Sequence, residues 1–213
     1  ETGFTPEELE EIRAIPGVEA ATRFLSVNLD LADDSGRSLA LDVSENFTVS
    51  AFVVTSGAPY DEGSGGIWLS DKFAEANGFA LGDTLRLRYH GAEISGEVTG
   101  LIKSGEHMIC LADANQVMPD YRTFGFAYIS PKKLLSALGF AFYPQINVRS
   151  SLTKEEVEKA VGDALGYTAM VVSKEEHAVY KEAQGEATEG KTMGSVLPVL
   201  FLVIVILTMV TTM

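Results

Sequence analysis

His107 and Cys110 stand three residues apart in Glu106-His107-Met108-Ile109-Cys110, the one place where this 213-residue chain sets a thiol close to an imidazole. A thiol with a neighbouring base is a nucleophile, and the same two side chains could begin a metal site. Either chemistry needs further members. Cys110 is the sole cysteine, so neither a multi-cysteine zinc site nor an internal disulfide is available, and His90 and His177 fall in unrelated predicted elements. Glu106-His107 also lacks the second histidine of the HExxH zinc helix. The pair reads as a half-buried thiol beside a surface histidine in an irregular loop, with a hydrolase using His107 and Cys110 as the remote alternative. Gly63-Ser64-Gly65-Gly66 has the glycines of a phosphate loop without its Gly-Lys-Ser/Thr ending, and reads as a surface loop. Asp33-Asp34 sits in a turn without the other ligands of a calcium loop. Asn46-Phe47-Thr48 is a glycosylation sequon, silent in a cell that does not use it. Glu7, Glu8, Glu10 and Glu11 make a solvated helix face. No residue is assigned a catalytic, cofactor-binding or metal role, and the chain is expected not to be an enzyme.

The elements that would carry these residues follow from pattern and punctuation. Thr5-Pro6-Glu7-Glu8 opens a helix with an N-cap, a proline in the first turn and acids at the positive end of the helix dipole. Leu9, Ile12 and Ile15 give it one apolar stripe before Pro16-Gly17 stops it. Val18 to Leu31 is extended; Val27, Leu29 and Leu31 alternate, as do Leu39, Leu41 and Val43, with Asp33-Asp34-Ser35-Gly36 turning between them as a hairpin. Phe47 to Thr55 reads as a strand and 57–66 as a loop. A helix over Asp71 to Asn77 starts at Ser70 and ends at Gly78. Gly82-Asp83 leads into a second hairpin, Thr84 to Arg88 and Glu93 to Ile102, about His90-Gly91. Residues 103–123 are irregular. Phe124 to Ile129 is short and apolar enough for a buried strand, and Ser130-Pro131 caps a helix to Leu138 closed by Gly139. Phe142 to Val148 reads as a strand, Thr153-Lys154-Glu155-Glu156 as a capping box for a helix to Leu165, Tyr167 to Val172 as a strand, and Ser173 to Glu176 as a second box. The aromatic group Phe124, Phe126, Tyr128, Phe140, Phe142 and Tyr143 is first of all core, with an exposed contact surface as the second reading. The fold class is α+β with a β-rich insertion.

The charge balance is 16 basic against 30 acidic residues, a net charge of −14. That excludes a nucleic-acid footprint and a polybasic lipid dock. Thr192 to Met213 carries no charge and is long enough to cross a bilayer as a helix. No strong breaker interrupts 174–197, so a helix over 174–213 would form a rod of about 60 Å. The expectation is an outer domain feeding into a membrane helix. The natural protein is expected to continue past Met213 and to carry an export signal or first membrane helix before the polar Glu1-Thr2-Gly3.

Three stretches carry a family resemblance. Ile67-Trp68-Leu69-Ser70-Asp71-Lys72-Phe73-Ala74 with Asn77-Gly78-Phe79-Ala80-Leu81-Gly82-Asp83-Thr84-Leu85 resembles the run around the Gly-Asp-Thr turn of MacB-like extracytoplasmic domains. Gly96 to Lys103 is similar to the strand that follows it there, and Ile15-Pro16-Gly17-Val18-Glu19-Ala20 to the family's entry segment. These domains belong to ABC transporter permeases of the FtsX-like family. The resemblance implies a porter-like α/β subdomain built from the two chain ends (1–50 and 124–173), a β-rich, sabre-like insertion (51–123), a stalk helix (174–195) and the start of a transmembrane helix (196–213). It further implies a cell-membrane location with the domain on the extracytoplasmic side. Its implied partners are a cytoplasmic ABC ATPase subunit, a second permease copy as homo- or heterodimer, and membrane lipid; cargo is left open. The competing expectation is a single-pass anchored surface adhesin or sensor.

Overall fold

The computed structural model describes residues 3–176 apart from 90, 113–115 and 117. The chain divides into two compact units, 1–171 and 172–213, and the fold below is that of the first. The expected transmembrane helix and all but the first three residues of the expected stalk lie outside the described residues. Among the described residues no helix is long and apolar enough to cross a membrane.

Helix α1 spans Pro6–Arg13 and begins with the expected cap: the Thr5 hydroxyl accepts from the Glu8 amide while Glu8 accepts from the Thr5 amide. The strands are β1 (Val18–Leu31), β2 (Ser38–Ser44), β3 (Phe52–Gly57), β4 (Ile67–Ser70), β5 (Thr84–Tyr89), β6 (Ala92–Ser104), β7 (Phe124–Ile129) and β8 (Gln145–Ser150). The remaining helices are α2 (Asp71–Asn77), α3 (Pro131–Leu138) and α4 (Lys154–Leu165). The sheet runs β2-β7-β4-β6-β5-β1-β8, and β1 also pairs with β2, so six strands close on themselves as a small barrel. Closure rests on the antiparallel pairs Asp30↔Arg88 and Leu31↔Leu87 between β1 and β5. Two strands lie off the ring: β3 on β6, and β8 on the first half of β1.

The period of two in the sequence becomes the two faces of the barrel wall. Leu29, Leu31, Leu39, Leu41, Val43, Ile67, Leu69, Leu85, Leu87, Ile94, Val98, Ala127 and Ile129 fill the interior, joined by Phe73 from α2 and Leu134 from α3. Each such Leu, Ile, Val or Phe side chain withdrawn from water contributes about 1.5–3 kcal/mol. The opposite face of β2, β4, β6 and β7 presents Ala40, Trp68, Ile102, Phe124, Phe126 and Tyr128 to a second layer containing Cys110 and partly buried Phe47, Phe52 and Tyr60. A third cluster lies at the chain ends, where Leu9, Ile12, Ile15 and Val161 pack α1 and α4 over Ala21, Ile146 and Val148.

Several sequence expectations are corrected. The strand read over Phe47 to Thr55 starts at Phe52, because Asn46 Oδ1 takes both the amide and the hydroxyl of Thr48 and folds 46–48 into a turn. The strand read from Phe142 starts at Gln145, after Pro144, which has no amide to give a ladder. Tyr167 to Val172 joins no strand pairing; Met170 is 90% exposed. Ser70 occupies the N-cap position of α2 without a side-chain cap bond, so the helix begins there for another reason: β4, which the sequence reading did not separate, ends at that residue. At Ser173 the amide donates to Glu176 Oε2 over a single 3-10 turn, Lys174–Glu176.

Candidate functional site

His107 finds its partner 65 residues away. Its Nε2 lies 2.7 Å from Oδ2 of Asp42, a β2 carboxylate that is 1% exposed, and its ring stacks on Phe126 with centroids 4.5 Å apart. Asp42 points away from the barrel interior because it alternates with Leu41 and Val43, and the parallel pairing Asp42↔Tyr128 sets it beside β7. The Tyr128 hydroxyl shares a hydrogen bond of 2.9 Å with Ser104 at the end of β6, and burial, with the Asp42 charge second, pushes its phenol well above the ordinary range. Three residues on from the histidine, Cys110 is buried, and desolvation followed by the Asp42 charge pushes its thiol up to about 12. A thiol held protonated in this way is a weak nucleophile. His107 has committed Nε2 to the carboxylate. The arrangement is an anchor: imidazole, carboxylate and stacked ring hold the 105–112 loop on the outer wall of the barrel, with the thiol as packing beneath it. The thiol expected to be half buried is fully so.

The other sequence candidates separate in the fold. Three of the four amides of the 63–66 loop are spent within the loop: Gly63 N–H donates to Asp61 Oδ1, Ser64 N–H to the Asp61 carbonyl and Gly66 N–H to Ser64 Oγ, so they do not converge as a phosphate cradle. Asp33 pairs with Arg37 and Asp34 with Arg88, so the turn acids serve the surface. Among the described residues no group of three or more His, Cys, Asp or Glu side chains converges as a metal site would. His90 and His177 lie outside the described residues.

The aromatic group divides three ways. Phe124, Phe126 and Tyr128 belong to the outer-wall layer, Tyr143 closes the barrel interior, and Phe140 is 56% exposed. Phe140 and Phe142 stand with Leu134 and Leu138 of α3 at one end of the barrel, over a cavity of about 40 Å³ bounded by Leu25, Val27, Leu41 and Ile94. At the chain ends the Tyr167 hydroxyl donates to Glu8 Oε1 at 2.7 Å. Arg23 reaches the Phe4 carbonyl at 3.1 Å, pairs with Glu45 and lies over the Tyr143 ring at 4.7 Å. Sequence reading found His107 and Cys110 by type and spacing. It missed Asp42, because alternation with Leu41 and Val43 reads as a solvent-facing position, whereas the second layer covers that face of β2.

A closed six-stranded barrel flanked by helices defines a mixed α+β domain. Residues 1–165 match the family described as the MacB-like periplasmic core domain. The chain belongs to that family and is an extracytoplasmic domain of an FtsX/MacB-like ABC transporter permease. Among solved structures, the extracellular domain of the noncanonic ABC-type transporter YknZ from Gram-positive bacteria is similar with a TM-score of 0.55 and 16% identity, over 78% of this chain and 87% of that one. The periplasmic region of MacB from Actinobacillus actinomycetemcomitans is similar with a TM-score of 0.50 and 13% identity, over 79% and 77% of the two chains. At these identities the likeness establishes the fold. No curated protein matches the chain in sequence.

Proposed function

We propose that this domain is the outer moving part of an ABC permease, coupling ATP hydrolysis in the cytoplasm to export or to mechanical work across the membrane. The observation that carries the reading is the family match over residues 1–165. In this reading ATP is hydrolysed by a separate subunit or domain, a second permease copy completes the assembly, lipid surrounds the segment from 196 onward, and this chain catalyses nothing. The porter-like part corresponds to 1–50 and 124–173, whose α1, β8 and α4 form the chain-end cluster, and the sabre-like part to 51–123. Strands of all three ranges share the barrel, so the two parts would move as one body, with the stalk expected over 174–195 as the lever.

The test uses the full-length protein in cells. Cys110 is too deeply buried to report topology, so Val53, 65% exposed on β3, is changed to Cys in a Cys110→Ala background. Labelling of Val53→Cys from outside by a membrane-impermeant maleimide, co-purification of an ABC ATPase subunit, and ATP hydrolysis by that complex are the expected results. Labelling only after permeabilisation overturns the location. Outside labelling without an ATPase partner overturns the permease reading in favour of a single-pass adhesin or sensor.

A further inference from the structure

We propose that Glu8 latches the segment 167–171 onto α1, and that this segment opens at the latch while α1 and the barrel stay folded. Each oxygen of the Glu8 carboxylate has its own task. Oε2 accepts the Thr5 amide at 2.8 Å and completes the helix cap, while Oε1 accepts the Tyr167 hydroxyl at 2.7 Å. The cap is reciprocal, with the Glu8 amide donating to the Thr5 hydroxyl at 3.2 Å, so the carboxylate is positioned whether or not Tyr167 is docked. A preformed acceptor serving a separate chain segment is the fixed half of a latch.

The movable half is the segment itself. Residues 167–171 have the composition of a strand yet enter no ladder, and Tyr167 and Met170 are 47% and 90% exposed. Ala169 packs against the α1–α4 cluster, and Tyr167 is the segment's side-chain tie to the start of the domain, 159 residues away in sequence. The contact raises the Tyr167 phenol to about 12, first through the Glu8 hydrogen bond, and lowers Glu8, first through the Thr5 amide and then through Tyr167. Few buried contacts and one directed bond to a charged acceptor are the marks of a segment that opens locally. Opening at the latch frees the segment 167–171, the last residues of the first compact unit. The inference stands without the transport reading.

Limited proteolysis of the 213-residue chain by thermolysin in detergent micelles, with each cut located by mass spectrometry, tests it. Tyr167→Phe removes the hydroxyl and leaves the cap intact; it should speed cleavage at 167–172 about three- to tenfold, with α1 and β7 within about twofold of wild type. Glu8→Gln leaves one acceptor oxygen for two donors and no charge; with that oxygen on the Thr5 amide, as at the third position of a capping box, cleavage at 167–172 should rise by no more than in Tyr167→Phe. Unchanged cleavage at 167–172 in Tyr167→Phe overturns the latch. So does an equal rise in α1, which would make the bond a staple of that helix.

Discussion

Gly125 is a point of close packing inside the barrel, and Gly125→Ala should measure that closeness. The residue lies on β7, paired with Leu39 of β2, and faces inward between Phe124 and Phe126, which face out. A Cβ placed there would come 2.6 Å from Cβ, Cγ and Cδ2 of Phe73, the fully buried anchor of α2. Carbon atoms prefer about 3.5–4.0 Å, so the methyl intrudes by about 1 Å or more. Rotating the ring does not help, because Phe73 Cβ is itself among the clashing atoms. Either α2 lifts or β7 shifts, and β7 is hydrogen-bonded on both sides, to β2 and to β4. Overpacking of this kind costs on the order of 3 kcal/mol, which for a domain of this size lowers Tm by about 6–12 °C. Trp68, the sole tryptophan and fully buried, reports urea unfolding by its fluorescence. In a Phe73→Ala protein the same methyl still meets the Cβ of residue 73 but no longer Cγ or Cδ2, so its cost should fall only in part. A Gly125→Ala protein within about 0.5 kcal/mol of wild type would refute the close approach of α2 to β7.

Three further outcomes are expected. His107→Ala should destabilise by on the order of 3 kcal/mol in the same urea assay, since it strands the buried Asp42 carboxylate, and pairing His107→Gln with Asp42→Asn should recover part of the loss; a cost for His107→Ala below about 1 kcal/mol would mean that the pair anchors nothing. Cys110, buried with its thiol held up at about 12, should react with a disulfide reagent at pH 8 at least about 100-fold more slowly in the native chain than in urea, and equal rates would contradict its burial. Docking of the Tyr167 ring on α1, read from NMR contacts between them, should depend on pH from both sides. Glu8 is lowered from 4.5 in the fold, so its contribution is present above that value and lost as pH falls through the lowered one. Tyr167 is raised from 10.0 to about 12, so its contribution is present below 10.0 and lost as pH rises through about 12; Glu11 also faces the phenol and acts in the same direction. Ring contacts independent of pH across that range would remove the ionised latch.

Much of the domain was legible because local signals were strong. The Thr5–Glu8 and Thr153–Glu156 boxes cap real helices, and the alternations at Val27–Leu31 and Leu39–Val43 line one barrel interior. The errors have physical causes. Ile67–Ser70 is buried on both faces, so its four residues show no alternation, and its pairing with both β6 and β7 is set by distant chain. Tyr167–Val172 has strand composition but pairs with no strand among the described residues, and strand propensity expresses little beyond its context. Barrel closure was invisible because it depends on two residue pairs between β1 and β5 that are more than fifty positions apart. Asp42 and His107 are further apart still. The family resemblance carried by the Gly82-Asp83-Thr84 turn supplied what local pattern could not, an assignment at the level of the whole domain.

Strand β1 belongs to two cores at once. Val18 and Ala21 pack beneath α1 and α4, while Leu25 to Leu31 line the barrel, and a 14-residue strand runs unbroken between them. Its first half is hydrogen-bonded to β8 and its second half to β2. Neither cluster can lose its packing without fraying a strand that the other needs, so the two melt together. A domain with three hydrophobic clusters should therefore show one calorimetric transition, whose van't Hoff and calorimetric enthalpies agree.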